Sequence, residues 1–234
     1  MSSLAHNQDV PYHLGIVPDG NRRWARANGL TAFEGHRRGV DVTRDIAIAA
    51  YERGVKVLTF YAFSTENWQR TQEEVGYLME LFFRVIVTEY KELEARNVRF
   101  RFVGRRDRLS AKMIKAIDDT EARTAHLSEG MFVLCLNYGG QQEIADAAAA
   151  LITAGVAAQD VTPERFAQAL YAPDVPPVDL IIRTSGEQRL SGFMLWRSSY
   201  AELLFVDQHW PAFTAGDLDA ALAEFAVRQR RFGN

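Results

Sequence analysis

The first group of residues suited to chemistry follows directly after an apolar run. The run 13–17 predicts a β-strand, and after Pro18 comes a polar segment that opens a predicted helix: Asp19, Gly20, Asn21, Arg22, Arg23 and Trp24. Ligands of open α/β sheets bind where strands end and helices begin, and the free N–H groups of a helix N-terminus attract anions. The glycine lets the backbone approach a ligand closely, and the arginines add positive charge. These features predict a phosphate site.

Asp19 adds a metal ion to this prediction. A carboxylate repels a bare phosphate, whereas Mg2+ prefers oxygen ligands and can bridge the two groups. The alternative interpretation is a tight turn with a capping aspartate and two solvated arginines.

A second polar cluster follows the next predicted strand, 56–63. It contains Ser64, Thr65, Glu66, Asn67, Trp68 and Arg70. Taken alone, it has the composition of an ordinary loop with a capping serine or asparagine. Because it follows a strand of the same sheet, we expect it beside Asp19, where its serine, asparagine and arginine would donate hydrogen bonds to phosphate oxygens.

A third cluster follows the predicted strand 179–184. Arg183 and Arg189, with Ser191 and the flexible Gly186, suit an anion with two or more phosphates, because charge-assisted hydrogen bonds are among the strongest in proteins. Glu202 lies among apolar residues, and it is either a surface glutamate or a second oxygen ligand for the metal.

The three clusters together indicate a type of reaction. The sequence contains no P-loop, no G-x-G-x-x-G and no Ser-His-Asp arrangement. A rim of arginines, hydroxyls and acids without an evident nucleophile suits a substrate whose own diphosphate leaves, while the protein orients groups and stabilises charge.

Apolar runs alternate with helical patterns along the chain. This alternation predicts an α/β fold with one domain, a mostly parallel six-stranded sheet and flanking helices. The predicted strands are 13–17, 56–63, 98–103, 131–136, 179–184 and 203–206; the predicted helices are 37–53, 72–95, 110–125, 141–153, 163–170 and 215–230. We expect residues 1–12 to form a flexible segment and residues 13–234 to form the catalytic domain.

The predicted helix 72–95 carries a wide apolar stripe. Helical spacing relates Val75, Leu78, Met79, Phe82, Phe83, Ile86, Val87 and Tyr90. Such a stripe is typical of a helix that packs on a sheet. The alternative is that part of it lines an apolar tunnel or a subunit interface.

Composition excludes several classes of protein. The chain has 234 residues, of which 47% are hydrophobic, and a net charge of −3, which argues against a general nucleic-acid binder. Cys135 is the only cysteine, so an internal disulfide and a cysteine-based zinc site are excluded, and we expect an inert core residue. The sequence has no signal-peptide core and no run of about 18 apolar residues, so we expect a cytoplasmic protein.

The three clusters, with Asn137-Tyr138-Gly139-Gly140 and Tyr200-Ala201-Glu202, resemble the motifs of the cis-prenyltransferases, in order and over almost the whole chain. The resemblance implies condensation of isopentenyl diphosphate with an allylic diphosphate such as farnesyl diphosphate. It also implies new cis double bonds, a requirement for Mg2+ and an apolar tunnel for the product.

The resemblance also implies a role for each cluster. Asp19 would handle Mg2+ and the diphosphates, with Glu202 as the second metal-associated acid. The allylic diphosphate would lie at residues 20–23 with His36 and Arg70, and isopentenyl diphosphate at Arg183, Arg189 and Ser191. Ser64, Asn67 and Trp68 would orient the reacting isopentenyl group. Trp24, Thr65 and Glu66 would also bind substrate. The base is open between Asp19, a relay through Asn67 and the diphosphate itself.

The resemblance further implies a homodimer, because Arg231-Phe232-Gly233 matches a terminal motif that can reach the partner's site. A peripheral contact with a membrane would serve product release. Three positions depart from the family pattern: Pro18 replaces methionine, Ala32 replaces an arginine and Thr71 replaces proline. The Ala32 departure leaves the allylic partner and the mode of coupling open.

Product length depends on the tunnel, for which we expect Ala62, Phe82 and Leu136 as lining residues. The leading expectation is a medium-length polyprenyl diphosphate that serves as a carrier-lipid precursor. The alternative is a short-chain or irregular, branched synthase. A non-catalytic partner subunit is disfavoured, because such subunits lose the metal-binding aspartate.

Overall fold

A computed structural model describes residues 9–89 and 91–228. Within them, six strands form one sheet: β1 (His13–Val17), β2 (Val57–Ser64), β3 (Val98–Val103), β4 (Gly130–Tyr138), β5 (Leu180–Arg183) and β6 (Glu202–Phe205). The sheet order is β3-β4-β2-β1-β5-β6, and every pair of neighbours is parallel. The predicted α/β class and six-stranded sheet are confirmed.

Helices connect the strands and cover both faces of the sheet. They are α1 (Asn21–Ala27), α2 (Ala32–Glu52), α3 (Gln72–Arg84), α4 (Lys91–Ala95), α5 (Ala111–Thr124), α6 (Gly140–Thr153), α7 (Pro163–Ala169) and α8 (Ala215–Val227). In the part of the chain that the structure describes, no helix is both long and apolar enough to cross a membrane.

Most predicted boundaries agree with the structure to within two residues, but α2 begins five residues earlier than predicted. Thr31 caps this helix, because its side chain accepts from the Glu34 N–H while the Glu34 carboxylate accepts from the Thr31 N–H at 2.7 Å. Such a reciprocal capping box satisfies two N–H groups that lack a partner within the helix.

The predicted helix 72–95 is helical at every described residue, but a π-helical turn interrupts its α-helical geometry. After α3 the chain widens into a π-helical turn at Val85–Glu89, and α4 follows at Lys91. The residues of the turn include four consecutive β-branched side chains, 85–88, which weaken an α-helix. The Thr88 hydroxyl also donates to the Arg84 carbonyl at 2.7 Å.

Both faces of the sheet bury apolar side chains, as the alternation along β4 illustrates. Leu134 belongs to the core that packs under α2, α3 and α8, whereas Cys135 belongs to the core on the opposite face, with Met194. Cys135 is completely buried, as expected, and burial raises the pKa of its thiol well above the ordinary value.

The strand order creates a switch point between β1 and β5. From β1 the chain first builds β2, β3 and β4 on one side, and it then crosses to build β5 and β6 on the other. At such a point the connections leave the sheet on opposite sides and open a crevice beyond the carboxyl ends of the strands. Asp19 and Arg183 come from the two strands that flank this crevice.

Candidate active site

Asp19 lies two residues after β1, at the crevice. Its Oδ2 accepts from Arg183 Nη2 at 2.9 Å, and its Oδ1 accepts from the Gly20 N–H at 2.7 Å and from Arg23 Nη2 at 3.2 Å. Thr184 Oγ1 accepts from the Asp19 N–H at 2.8 Å and donates to the Asp19 carbonyl at 2.7 Å. The backbone of Asp19 is therefore fixed from the strand beside it.

Two opposing effects set the pKa of Asp19. Partial burial raises it, but the hydrogen bond and the charge of Arg183 outweigh burial and leave it below the ordinary value. Asp19 is consequently an ionised carboxylate at neutral pH.

Gly20 adopts a left-handed backbone conformation, with φ of 97°, just before α1. A Cβ at this position would lie 2.0 Å from Ser185 Oγ and 2.7 Å from His209 Nδ1. Glycine is therefore required both by the turn and by the close approach of the loop after β5.

Arg22, His36 and Arg70 come from three different elements and converge on one carboxylate, Glu74. Arg70 Nη1 donates to Glu74 Oε1 at 3.0 Å, the His36 Nε2 lies 3.3 Å from the same oxygen, and Arg22 Nη1 lies 3.5 Å from Oε2. Burial, followed by the charge of Arg70, lowers the pKa of His36 despite the hydrogen bond to Glu74. The structure thus groups three of the predicted allylic-diphosphate residues around a glutamate.

Arg23 and Arg189 are joined by a second glutamate, Glu187. Arg23 Nη1 donates to Glu187 Oε1 at 2.9 Å, and Arg189 Nη1 donates to Glu187 Oε2. The first and third sequence clusters therefore meet at the mouth of the crevice, as predicted.

Arg183 is buried at the end of β5, whereas Arg189 is exposed. The Arg183 Nη1 donates to Ser191 Oγ at 2.8 Å and to the Arg189 carbonyl. Its Nε is buried and has no hydrogen-bond partner within the described residues. Such a donor fits an oxygen of a bound anion, because a buried N–H without a partner is costly.

The second cluster forms a tight turn, Thr65–Gln69, after β2. The Ser64 N–H donates to Asn67 Oδ1 at 3.1 Å, and Trp68 Nε1 donates to Asn137 Oδ1 at 2.7 Å. Trp68 therefore anchors the turn to β4 and does not line the central cavity. Trp24, half-buried in α1, does not line it either.

One cavity of about 820 Å³ connects this polar rim to the apolar interior. Its rim includes Asp19, Asn21, His36, Ser64, Thr65, Glu66, Asn67, Arg70, Arg183 and Ser191. Its inner walls are apolar and come from α2, α3, the π-helical turn after α3, β2 and β4: Val40, Phe60, Ala62, Leu78, Leu81, Phe82, Val85 and Leu134.

Two of the three predicted lining residues, Ala62 and Phe82, face this cavity. Leu136 does not, so this prediction was wrong. Leu136 is buried in the core and is paired with Phe63 in the strand register, and Leu134, two residues earlier on the same face of β4, lines the cavity instead.

Glu202 does not join the rim within this chain. It is the first residue of β6, paired in register with Leu180, whereas Arg183 is paired with Phe205. Because β5 and β6 run parallel, Glu202 lies toward the opposite end of the sheet from Asp19. Its carboxylate accepts from Arg228 Nη1 at 3.0 Å.

The family of the chain follows from a match that covers most of its length. Residues 17–233 match the model of a prenyltransferase family described as "Putative undecaprenyl diphosphate synthase". The chain belongs to this family, the cis-prenyltransferases. The matched range includes every rim residue described above.

Relatives of this cis-prenyltransferase are similar along most of their length. A trans,polycis-polyprenyl diphosphate synthase of Thermobifida fusca, specific for (2Z,6E)-farnesyl diphosphate, is 48% identical over 96% of this chain and 81% of its own. A ditrans,polycis-undecaprenyl-diphosphate synthase of Pseudomonas syringae, specific for (2E,6E)-farnesyl diphosphate, is 46% identical over 96% of this chain and 91% of its own.

A solved structure is similar to this cis-prenyltransferase in fold. The lavandulyl diphosphate synthase of Lavandula x intermedia, in complex with dimethylallyl diphosphate, superposes with a TM-score of 0.93. The two are 34% identical, and the match covers 97% of this chain and 100% of the other.

Sequence reasoning missed Glu74 and Glu187, the two glutamates that hold the arginines beside the rim. The position of Glu74 could have been inferred from Thr71, one of the departures from the family pattern. Thr71 caps α3 because its hydroxyl accepts from the Glu74 N–H. Such a cap places residue 74 in the first turn of the helix. Glu187 lies inside the third cluster, whose arginines, serine and glycine gave no signal for an acidic partner. The motif at residues 231–233 lies outside the described residues.

Proposed function

We propose that this cis-prenyltransferase condenses isopentenyl diphosphate with an allylic diphosphate, farnesyl diphosphate first, into a medium-length cis-polyprenyl diphosphate that serves as a carrier-lipid precursor. One observation carries the proposal: a single cavity joins a cationic rim with two arginine groups to a long apolar wall. Such a cavity suits an amphipathic substrate that has a charged head and a hydrocarbon tail.

The two arginine groups divide the diphosphates between them. Arg22, His36 and Arg70, beside the N-terminus of α1, suit the allylic diphosphate, whose chain then extends along α3. Arg183 and Ser191, with Arg189 at the mouth, suit isopentenyl diphosphate, and the unpartnered Arg183 Nε is a donor available to it. Ser64 and Asn67 lie on the rim, where they would orient the isopentenyl group.

The reaction needs charge stabilisation more than a nucleophile. The allylic carbon–oxygen bond breaks, the diphosphate leaves with the electron pair, and the terminal carbon of the isopentenyl double bond forms the new carbon–carbon bond. Loss of one proton from the isopentenyl unit then creates the new double bond. The arginines stabilise the leaving diphosphate, and the proton acceptor is Asp19, a relay through Asn67 or that diphosphate.

The rim fits Mg2+ through Asp19. Within residues 9–89 and 91–228, no group of three or more His, Cys, Asp or Glu side chains could hold a metal ion. Mg2+ in phosphate-transferring sites is typically held by one or two carboxylates together with substrate phosphates and water, so one ionised aspartate is sufficient. When bound, Mg2+ would neutralise charge on the diphosphates. A metal role for Glu202 would require a second chain to bring it near.

A homodimer formed through β6 is a further part of the proposal. β6 is an edge strand, and Leu203 on it and Tyr200 just before it are 36% and 72% exposed. Apolar side chains at a sheet edge are typical of an interface. The cytoplasmic location and the peripheral membrane contact remain expectations from the sequence.

A short-chain or irregular synthase is the second candidate. The likeness to lavandulyl diphosphate synthase and the departure at Ala32 favour it, whereas the extension of the cavity to Val85 favours a longer chain. A non-catalytic subunit is disfavoured, because Asp19 and the arginines are assembled at the rim.

A product ladder tests the proposal. The purified protein is incubated with Mg2+, labelled isopentenyl diphosphate and dimethylallyl, geranyl or farnesyl diphosphate, and the chain length and double-bond geometry are measured. We expect a ladder of cis products from farnesyl diphosphate. A single short or branched product would support the second candidate, and activity only after addition of a related subunit would support the third.

A further inference from the structure

A serine–histidine pair lies directly against the backbone of Gly20. Ser185 Oγ and His209 Nδ1 share a hydrogen bond of 2.6 Å, and both atoms lie within 3 Å of the position that a Cβ of residue 20 would take. Ser185 is almost fully buried and has a left-handed φ of 77°, which is unusual for a serine.

The segment around His209 also holds the backbone of both neighbouring loops. The Trp210 N–H donates to the Asp19 carbonyl at 2.9 Å, and the Ser185 N–H donates to the Gln208 carbonyl at 2.8 Å. The next residue on the loop after β5, Gly186, donates its N–H to the Val206 carbonyl at 2.9 Å. The segment after β6 thus contacts the loop that carries Asp19 and the loop that follows Arg183.

Residues of the same segment reach the cavity wall. Trp210 lines the cavity, and its Nε1 donates to the Gly39 carbonyl at 2.9 Å and to Thr43 Oγ1 at 3.2 Å. Gln208, the residue before His209, therefore contacts the loop after β5, and Trp210, the residue after it, contacts α2. The His209 side chain itself contacts Ser185.

We propose that Ser185 and His209 act together as positioning residues that fix the Asp19 carboxylate relative to Arg183. The inference rests on the proposed function, because it assigns the pair to the reaction of that rim. Neither side chain lines the cavity, so the pair acts through the backbone of Gly20 and through the loop after β5. A displacement of a reacting group by about 1 Å is sufficient to reduce turnover strongly.

The position of the pair distinguishes its expected effect from a loss of substrate binding. Arg22, His36 and Arg70 are held by Glu74, which belongs to α3 and does not contact the pair. Arg22 follows Gly20 by two residues, whereas His36 and Arg70 are held from α3, so removal of the pair should lower kcat by a larger factor than it raises the KM for the allylic diphosphate.

Four variants test the pair: Ser185→Ala, His209→Leu, the double variant and His209→Asn. The asparagine side chain retains a polar atom near the position of Nδ1, so it can keep the hydrogen bond to Ser185. We expect kcat to fall about tenfold in each of the two single variants that remove the bond. We expect the double variant to have the same kcat as the single variants. The kcat of His209→Asn should be within about twofold of the wild-type value.

Two exposed polar residues supply the controls. Thr153→Ala removes a hydroxyl that donates to the Ala149 carbonyl on α6, and His126→Leu removes a histidine after α5. Thermal unfolding is measured for every variant, and kinetics are measured well below the lowest Tm. If Ser185 and His209 had a merely structural role, the variants would lower Tm, and His209→Asn would not restore kcat.

The outcomes distinguish failure of the positioning role from failure of the proposed function. The positioning role would be overturned if the single variants kept wild-type kcat, or if their losses added in the double variant. In either case, product formation by the wild-type protein would still support the proposed function. A wild-type protein that forms no prenyl product would overturn the proposed function, and the positioning role with it.

Discussion

Asp19 and Arg183 form an ion pair across the switch point of the sheet, with 2.9 Å between Oδ2 and Nη2. The arginine side chain is only 5% exposed, whereas the carboxylate is 31% exposed. The pair thus has a buried cationic end and an accessible anionic end that faces the cavity.

Asp19→Asn should abolish most of the activity. The amide keeps the shape of the side chain but removes the charge that Arg183 and Mg2+ require. We expect kcat to fall by about a hundredfold or more, in line with the loss of a central electrostatic group, while the far-ultraviolet circular dichroism stays unchanged. Asp118→Asn, on the exposed face of α5, is the matched control. Nearly normal kcat in Asp19→Asn would contradict the assignment.

Gly20→Ala and Gly54→Ala compare two glycines with almost the same backbone conformation. Their φ values are 97° and 95°, but a Cβ at Gly54 meets no atom within 4 Å, whereas one at Gly20 would lie 2.0 Å from Ser185 Oγ. Both variants should lose about 1–2 kcal/mol of unfolding free energy through the backbone. Only Gly20→Ala should lose a further 1–3 kcal/mol, about the cost of overpacking, together with kcat. Urea unfolding and steady-state kinetics measure the two effects, and equal losses at both glycines would contradict the close approach.

Ala62→Leu should shorten the product. Ala62 lines the cavity beyond the polar rim, so the larger side chain occupies space that the growing chain needs. Phe82→Ala, on the facing wall of α3, should lengthen the product instead. Chain lengths are compared by chromatography, with the exposed Ala149→Leu as the control. An unchanged product ladder in both variants would remove these residues from the path of the chain.

Glu74→Gln should weaken the use of the allylic substrate. Glu74 is 12% exposed at its side chain and holds Arg70 and His36, so the amide leaves the Arg70 cation without its anion and His36 beside a neutral partner. We expect kcat/KM for the allylic diphosphate to fall about tenfold, roughly the effect of one hydrogen bond to a charged group. Glu73→Gln, on the adjacent exposed residue, should leave kcat/KM unchanged. A higher kcat/KM in Glu74→Gln would mean that Glu74 competes with the diphosphate.

His13 should make the fold sensitive to acid. Burial lowers the pKa of His13 from about 6.5 to about 4, although the Pro176 carbonyl partly opposes the shift. As the pH falls from 6.5 to 4, the unfolded chain binds a proton that the folded chain does not, so stability is lost over this window. The shift corresponds to about 3 kcal/mol.

The His13 prediction is tested by the pH dependence of the unfolding free energy. His13→Gln should flatten this dependence between pH 4 and 6.5, whereas His126→Gln, on an exposed residue, should leave it as in the wild type. Identical curves for wild type and His13→Gln would contradict the burial of a neutral imidazole.

The sequence contained most of the information on strands and on the cationic clusters, because both depend on local pattern. β1 and β3 have the predicted bounds, and the first and third clusters meet through Arg23, Glu187 and Arg189 as parallel strand ends require. Periodicity did not reveal the break at Val85–Glu89, because the apolar spacing continues through it.

The wrong site predictions depend on how distant elements pack together, and no local sequence pattern contains this information. The family resemblance implied a metal-associated Glu202 beside Asp19, but the chain crosses back before β6, so the first residue of β6 lies at the other end of the sheet. Glu74 and His209 bear on the site through contacts made only after folding. Leu134 lines the cavity and Leu136 does not, although both belong to the same core and lie on the same face of β4.

The buried thiol of Cys135 can be used to measure how often the sheet opens. The chain's single thiol lies in the middle of β4, with no exposed surface and a raised pKa, so an alkylating reagent reaches it only when the sheet separates. Its labelling rate in native buffer would therefore measure the free energy of that separation, independently of motions at the rim. A cysteine introduced on the exposed surface would be modified alone, so a fluorophore can be attached there without removal of the native thiol.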